Sequence, residues 1–124
     1  MSQRLVRLHT VDEGETRFED GVIPMTLSTV FPLDAPVSVS DAVGGGGVRF
    51  LQIPSGWSTE QAPVPHGVYL VILAGVFDIE ASDGEQRRFG PGSIIVLEDT
   101  SGVGHRARVI GMSPVQALMV DLDE

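Results

Sequence analysis

The sequence predicts an all-β fold, a single barrel or sandwich of short strands. Fifteen glycines and eight prolines are spread through 124 residues, and turn-formers at that density leave little room for helices. No stretch sustains the 3.6-residue apolar period of an amphipathic helix. From Val48 onward, β-branched and aromatic runs recur between Gly, Pro and Asp clusters at roughly 8–12-residue spacing, the rhythm of sandwiches and barrels. The length suits one domain over 1–124, and a hydrophobic share of 42% suffices for one core.

Taken in order, residues 1–47 read as a less regular N-terminal extension of the barrel, with strands over Leu5–Leu8 and Met25–Phe31. Gly44–Gly47 reads as a flexible loop. A phosphate cradle there lacks its helix, because the following Val-Arg-Phe-Leu has the character of a strand. Val48–Ile53 is a strand closed by Pro54-Ser55-Gly56, and Val68–Leu73 is a second. Val76–Glu80 and Glu85–Phe89 form a hairpin about Ser82-Asp83-Gly84. Gly90-Pro91-Gly92 turns into Ser93–Leu97. A polar loop from Glu98 to Gly104 precedes His105–Ile110, and Val115–Leu122 closes the set.

Charge and composition exclude several classes. A net charge of −9 argues against nucleic acid and anionic membranes, both of which call for a basic surface. All eight basic residues are Arg, and Lys, Cys and Asn are absent. Thiolate chemistry, Schiff bases and disulfides are thereby removed. The N-terminus has no apolar signal core. The longest apolar run, Gly67–Phe77, falls short of the roughly 20 residues that cross a bilayer. A cytoplasmic protein is expected. No nucleophile elbow, dinucleotide fingerprint or zinc spacing is present.

Two stretches resemble the motifs of the cupin superfamily. The first keeps the frame Gly56, five residues, Ala62, one, Val64, three, Val68, six, Gly75. The second is Gly90–Leu97, followed by a loop and His105. The resemblance implies a cupin-type β-barrel, or jelly roll. In metal-dependent cupins two His and a Glu of the first motif bind a divalent ion with the His of the second. Here three of those positions are Ala62, Val64 and Val68, and hydrocarbon supplies no N, O or S donor. The metal is therefore not carried over, and no cofactor is expected. An ion held instead by His66 and His105, with Gln61 or Glu60, is an alternative.

His66 lies two residues from both Val64 and Val68, so in an extended strand it shares their face. His66 and His105 are thus expected as two inward imidazoles, the candidate acid–base residues. Trp57, Val64, Val68, Leu70, Met112 and Met119 are expected to line an apolar interior with Ile72 and Ala107, and Trp57 to position the substrate. Glu98-Asp99 reads as a strand end entering an Asx-type turn, with a general base as the sharper alternative. Arg106 and Arg108 belong on the opposite face from His105. The function expected is a metal-independent enzyme acting on a hydrophobic small molecule by isomerase, lyase or cyclase chemistry. The alternative is a non-catalytic binding or sensing module. By analogy with cupins, a homodimer is expected.

Overall fold

The computed structural model describes residues 2–28, 37–42 and 45–122, and nearly all of its regular structure is β. Eleven strands run in chain order: β1 Ser2–Thr10, β2 Thr16–Pro24, β3 Thr26–Ser28, β4 Val37–Val39, β5 Val48–Ile53, β6 Val68–Ala74, β7 Val76–Glu80, β8 Gln86–Phe89, β9 Ile94–Glu98, β10 Arg106–Ile110 and β11 Val115–Asp121. Six form one sheet in the order β2-β1-β9-β6-β11-β5, three form a second in the order β10-β7-β8, and β3 pairs with β4. Every pairing is antiparallel except β1 with β9.

The core lies between the two larger sheets. Alternation along each strand sends Leu70 and Ile72 of β6, Ile95 and Leu97 of β9, and Val115 and Ala117 of β11 inward. They meet Phe77 and Ile79 of β7, Phe89 of β8, and Ala107 and Val109 of β10. Gly75 makes the β6–β7 corner at φ +85°, and an added Cβ would stand 2.9 Å from Val115 Cα. Only glycine accepts both conditions.

The strands from Val48 to the C-terminal end fall within a residue or two of expectation. The N-terminal part differs. Far from being less regular, residues 2–24 form the two longest strands, nine residues each, paired over nine registers. β1 then joins the main sheet through β9, and Leu8 is completely buried. The expected strand Met25–Phe31 survives as β3 over Thr26–Ser28, and its last three residues lie outside the described residues. Of the glycine run, 45–47 is loop, tied by Gly46 N–H to Asp121 O and by Asp121 N–H to Gly47 O.

This hairpin also holds the loop between β9 and β10. Thr10 Oγ1 donates to Ser101 O at 3.0 Å, Val103 N–H to Gly14 O at 3.0 Å, and Thr16 Oγ1 to Gly104 O at 3.1 Å. Three bonds thus fix the backbone of the segment that carries the second motif's histidine.

Candidate functional site

His105 stands at the end of that loop, directly before β10. Its backbone exchanges two hydrogen bonds with Ala62, each 3.0 Å, while Val64 N–H donates to Asp99 O at 3.1 Å. The first-motif segment therefore lies along the second-motif loop. Gly104 allows this approach: it adopts φ +75°, and any Cβ would run into the backbone of Ala62 and Pro63.

His105 is 9% exposed, and its Nδ1 lies 2.6 Å from Oδ2 of Asp99, which is completely buried. The sequence reads Glu98-Asp99 as a strand end entering a turn, with a general base as the alternative, and does not pair Asp99 with His105. The signal available was a carboxylate six residues before the motif histidine, across a loop with glycines at 102 and 104 that lets the chain fold back. With the carboxylate as acceptor, Nδ1 would carry the hydrogen and Nε2 would be the nitrogen facing a ligand. Asp99 Oδ1 is buried with no hydrogen-bond partner among the described residues.

His105 lines a cavity of about 300 Å³ between the sheets, within the size range of small-molecule sites. The larger sheet lines it with Leu51, Ile53, Leu70, Leu97 and Met119, the three-stranded sheet with Phe77 and Ala107, and Pro54 and Trp57 lie in the segment after β5. Trp57 stacks on Phe77, with centroids 5.9 Å apart at 27°, so an aromatic face borders the space. Gln52 and Thr59 supply polar atoms, and His105 is the sole ionisable residue among the described residues of the lining. A larger groove of about 740 Å³ along β1 and β2 has Arg4 and Asp20 as its charged residues, both exposed.

The cavity thus gathers His105, Trp57, Leu70, Ala107 and Met119 of the residues expected there, while Ile72 lies in the core. Val68 is buried in the core, and Val64 packs against it from the partly buried layer; neither lines the cavity. Met112 departs most from expectation. It sits 93% exposed in the β10–β11 turn, because the chain turns at Gly111–Ser113 and leaves the sheet before an inward position recurs.

His66 does not join His105. Its Nε2 lies 3.0 Å from Asp121 Oδ1, the same oxygen that accepts from Arg49 Nη2 at 2.6 Å. Those two bonds, Arg49's the stronger influence, hold the Asp121 carboxyl below the usual carboxylate range. Met119 and Asp121 share a strand face, as do Leu51 and Arg49, so the cluster sits at the rim. Arg106 and Arg108 lie as expected on the other face of β10, opposite Glu80 and Asp78 of β7.

The residues do not fit the family's metal. Ala62, Val64 and Val68 occupy three donor positions, and His105 commits Nδ1 to Asp99. Among the described residues no three His, Asp or Glu side chains converge as a ligand set, and the trio of His66, His105 and Glu60 is not assembled. No helix among them is long and apolar enough to cross a membrane.

Comparison with protein-family models and with curated proteins finds no match. Among solved structures, the Schizosaccharomyces pombe Cnp3 cupin domain matches with a TM-score of 0.50 at 12% identity, covering 100% of this chain and 83% of that one. The fold is that of a cupin. A conserved Streptococcus pyogenes protein of unknown function, SPY1581, matches at 22% identity over 63% of this chain, with a TM-score of 0.47. The chain spans 64% of that protein's length. Within this fold the cavity is bordered by Trp57, Met119 and aliphatic side chains, beside one imidazole backed by a buried carboxylate.

Proposed function

We propose that this cupin-fold chain is a proton-transfer enzyme that acts on an apolar small molecule, with isomerase, lyase or cyclase chemistry and no metal at the family's ligand positions. The observation that carries the reading is the buried Asp99–His105 pair, 2.6 Å apart, at the wall of a 300 Å³ apolar cavity. His105 Nε2 takes a proton from the bound molecule and returns it, either to another atom of the substrate (isomerisation) or to a departing oxygen (dehydration). Asp99 keeps the Nδ1 hydrogen throughout and orients the ring. The Trp57–Phe77 stack holds a planar or ring-bearing substrate against the imidazole. His66, tied to Asp121 at the rim, has no part in the proton step.

One observation favours a second reading. With a single ionisable residue in the lining, a reaction that needs separate acid and base groups lacks one of them, which suits a binding or sensing module. Deuterium exchange separates the two. Apolar carbonyl compounds that raise the melting temperature are incubated with the protein in D₂O, and mass spectrometry reads deuterium washed into carbon. Exchange by the wild type that His105→Ala loses about 10²–10⁴-fold, with binding retained, supports the enzyme. Compounds that bind without exchange or turnover, in wild type and variant alike, establish the binding module instead.

A further inference from the structure

β7 turns Phe77 and Ile79 toward the core, so its other face carries Asp78 and Glu80. On one side of them β10 places Arg108 opposite Asp78 and Arg106 opposite Glu80. On the other side β8 places Arg88 opposite Asp78 and Gln86 opposite Glu80. Opposite charges facing each other across a ladder ordinarily pair. Here Arg106 and Arg108 make no ion pair among the described residues, whereas Arg7, Arg17, Arg49, Arg87 and Arg88 each do. Asp78 is unusual in the opposite sense. It lies on the outer face of its sheet and is only 4% exposed. Its one partner among the described residues is Arg88 Nε, 3.4 Å from Oδ2. A carboxylate so buried and so thinly paired is costly to hold. Both carboxylates and both spare guanidiniums border one groove of about 260 Å³, to which Ser58 adds a hydroxyl and Gln86 an amide.

The geometry points to a binding site for a small zwitterion of the amino-acid class, its carboxylate on Arg106 and Arg108 and its ammonium on Asp78 and Glu80. Charge selects this occupant. An anion alone meets two carboxylates in the lining, and a cation alone meets two guanidiniums. A molecule bearing both charges leaves neither pair opposed. The planar fork of arginine matches a carboxylate, and an ammonium brings three donors to two carboxylates that lack them. Asp78 in particular gains the hydrogen bonds that the fold leaves unmade. The groove is a little smaller than the roughly 300 Å³ at which drug-sized sites begin, so its occupant is correspondingly small. Thr59 and Ala107 border both this groove and the apolar cavity, but the two spaces lie on opposite faces of the three-stranded sheet and call for different ligands. The inference is therefore independent of the proton-transfer reading.

Isothermal titration of the standard free amino acids into the full chain tests it. At least one is expected to bind, and its two half-ligands decide the class. The N-acetyl derivative lacks the ammonium and the carboxamide lacks the carboxylate. Each is expected to bind at least about tenfold more weakly than the parent. Arg106→Gln combined with Arg108→Gln is expected to weaken the parent about tenfold or more and to leave the carboxamide as it was. Asp78→Asn should weaken the parent likewise and leave the N-acetyl derivative as it was. Arg4→Gln, at an exposed arginine outside the groove, leaves the parent's affinity unchanged. Failure of every amino acid to bind at about 1 mM overturns the proposal. So does an N-acetyl derivative that binds as well as its parent, the mark of a plain anion site, or a parent affinity indifferent to the arginine variants. Should Asp78→Asn not fold, the arginine variants and the half-ligands decide. No arm reads proton transfer, so the result stands whatever becomes of the cavity's assignment.

Discussion

At His105 the chemistry turns on which ring nitrogen bears the hydrogen. Nδ1 lies 2.6 Å from Asp99 Oδ2, and the proposed base role requires Asp99 to accept there and Nε2 to keep its lone pair. In Asp99→Asn the amide NH₂ can donate to Nδ1 instead, moving the hydrogen to Nε2 and removing the base. Turnover or exchange is expected to fall toward the His105→Ala level with ligand affinity little changed, and nitrogen-15 shifts of the imidazole to report the switch of tautomer. A wild-type ring already protonated on Nε2 alone defeats this account. A different residue, Asp121, governs a pH response. Bonds from Arg49 and His66 hold its carboxyl below the ordinary value of 3.8 in the folded state. Folding thus favours the ionised form. Its stabilisation is complete at neutral pH, begins to fade as pH falls through the ordinary value, and is gone below the depressed folded value. The melting-temperature gap between wild type and Asp121→Asn is expected to be constant near neutral pH and to narrow as pH falls below the ordinary value of 3.8. A gap unchanged to the acid limit would contradict the linkage.

Among the elements, the N-terminal hairpin matters to the site because it clamps the loop that bears the pair. Thr16 is its deepest hold: completely buried, it donates from Oγ1 to Gly104 O and accepts there from Ser82 N–H at 2.6 Å. Thr16→Val keeps the shape and strands both backbone groups, at a cost of about 1–3 kcal/mol, read by urea denaturation. It is also expected to loosen His105, and so to lower catalysis or ligand binding more than a distant change of equal cost. Thr16→Ser, which retains the hydroxyl, should recover most of both. Of these two strands only the centre of β1, Leu5–Leu8, was legible in the sequence. Thr16–Pro24 mixes Arg, Glu and Asp with single apolar residues, so its local pattern resembles loop, and the ends of its partner strand are polar as well. What makes strands of both is nine-register pairing and the parallel contact of β1 with β9, some 90 residues away in sequence. Strands β5 to β11 were legible because Gly and Pro punctuate them and hydrophobic residues alternate within them. The site was half legible. His105 and Trp57 follow from the motif frame, whereas Asp99 depends on a loop folding back and His66 on a rim partner, Asp121, that lies 55 residues away.

For the whole molecule, the same long-range pairing decides how many cooperative units the chain has. If residues 2–24 were an appendage, damage there would leave the two-sheet core intact. The structure places Leu8 of β1 in the core, 0% exposed and packed with the inward residues of β6, β9 and β11. Leu8→Ala removes buried methyl groups from a site that can collapse only partly, since β1 is hydrogen-bonded on both sides, to β2 and β9. The loss expected is about 2–5 kcal/mol, a large share of the 5–15 kcal/mol typical of a domain. One transition should remain, with tryptophan fluorescence and far-ultraviolet circular dichroism coinciding. Trp57 sits at the cavity, not on the hairpin, so the coincidence tests whether the cavity melts together with the N-terminal strands. Fluorescence that lags behind the circular dichroism would mean that β1 and β2 peel away first. In that case the loop carrying Asp99 and His105 would lose its clamp at temperatures where the barrel still stands, and ligand binding should fade ahead of the fluorescence change.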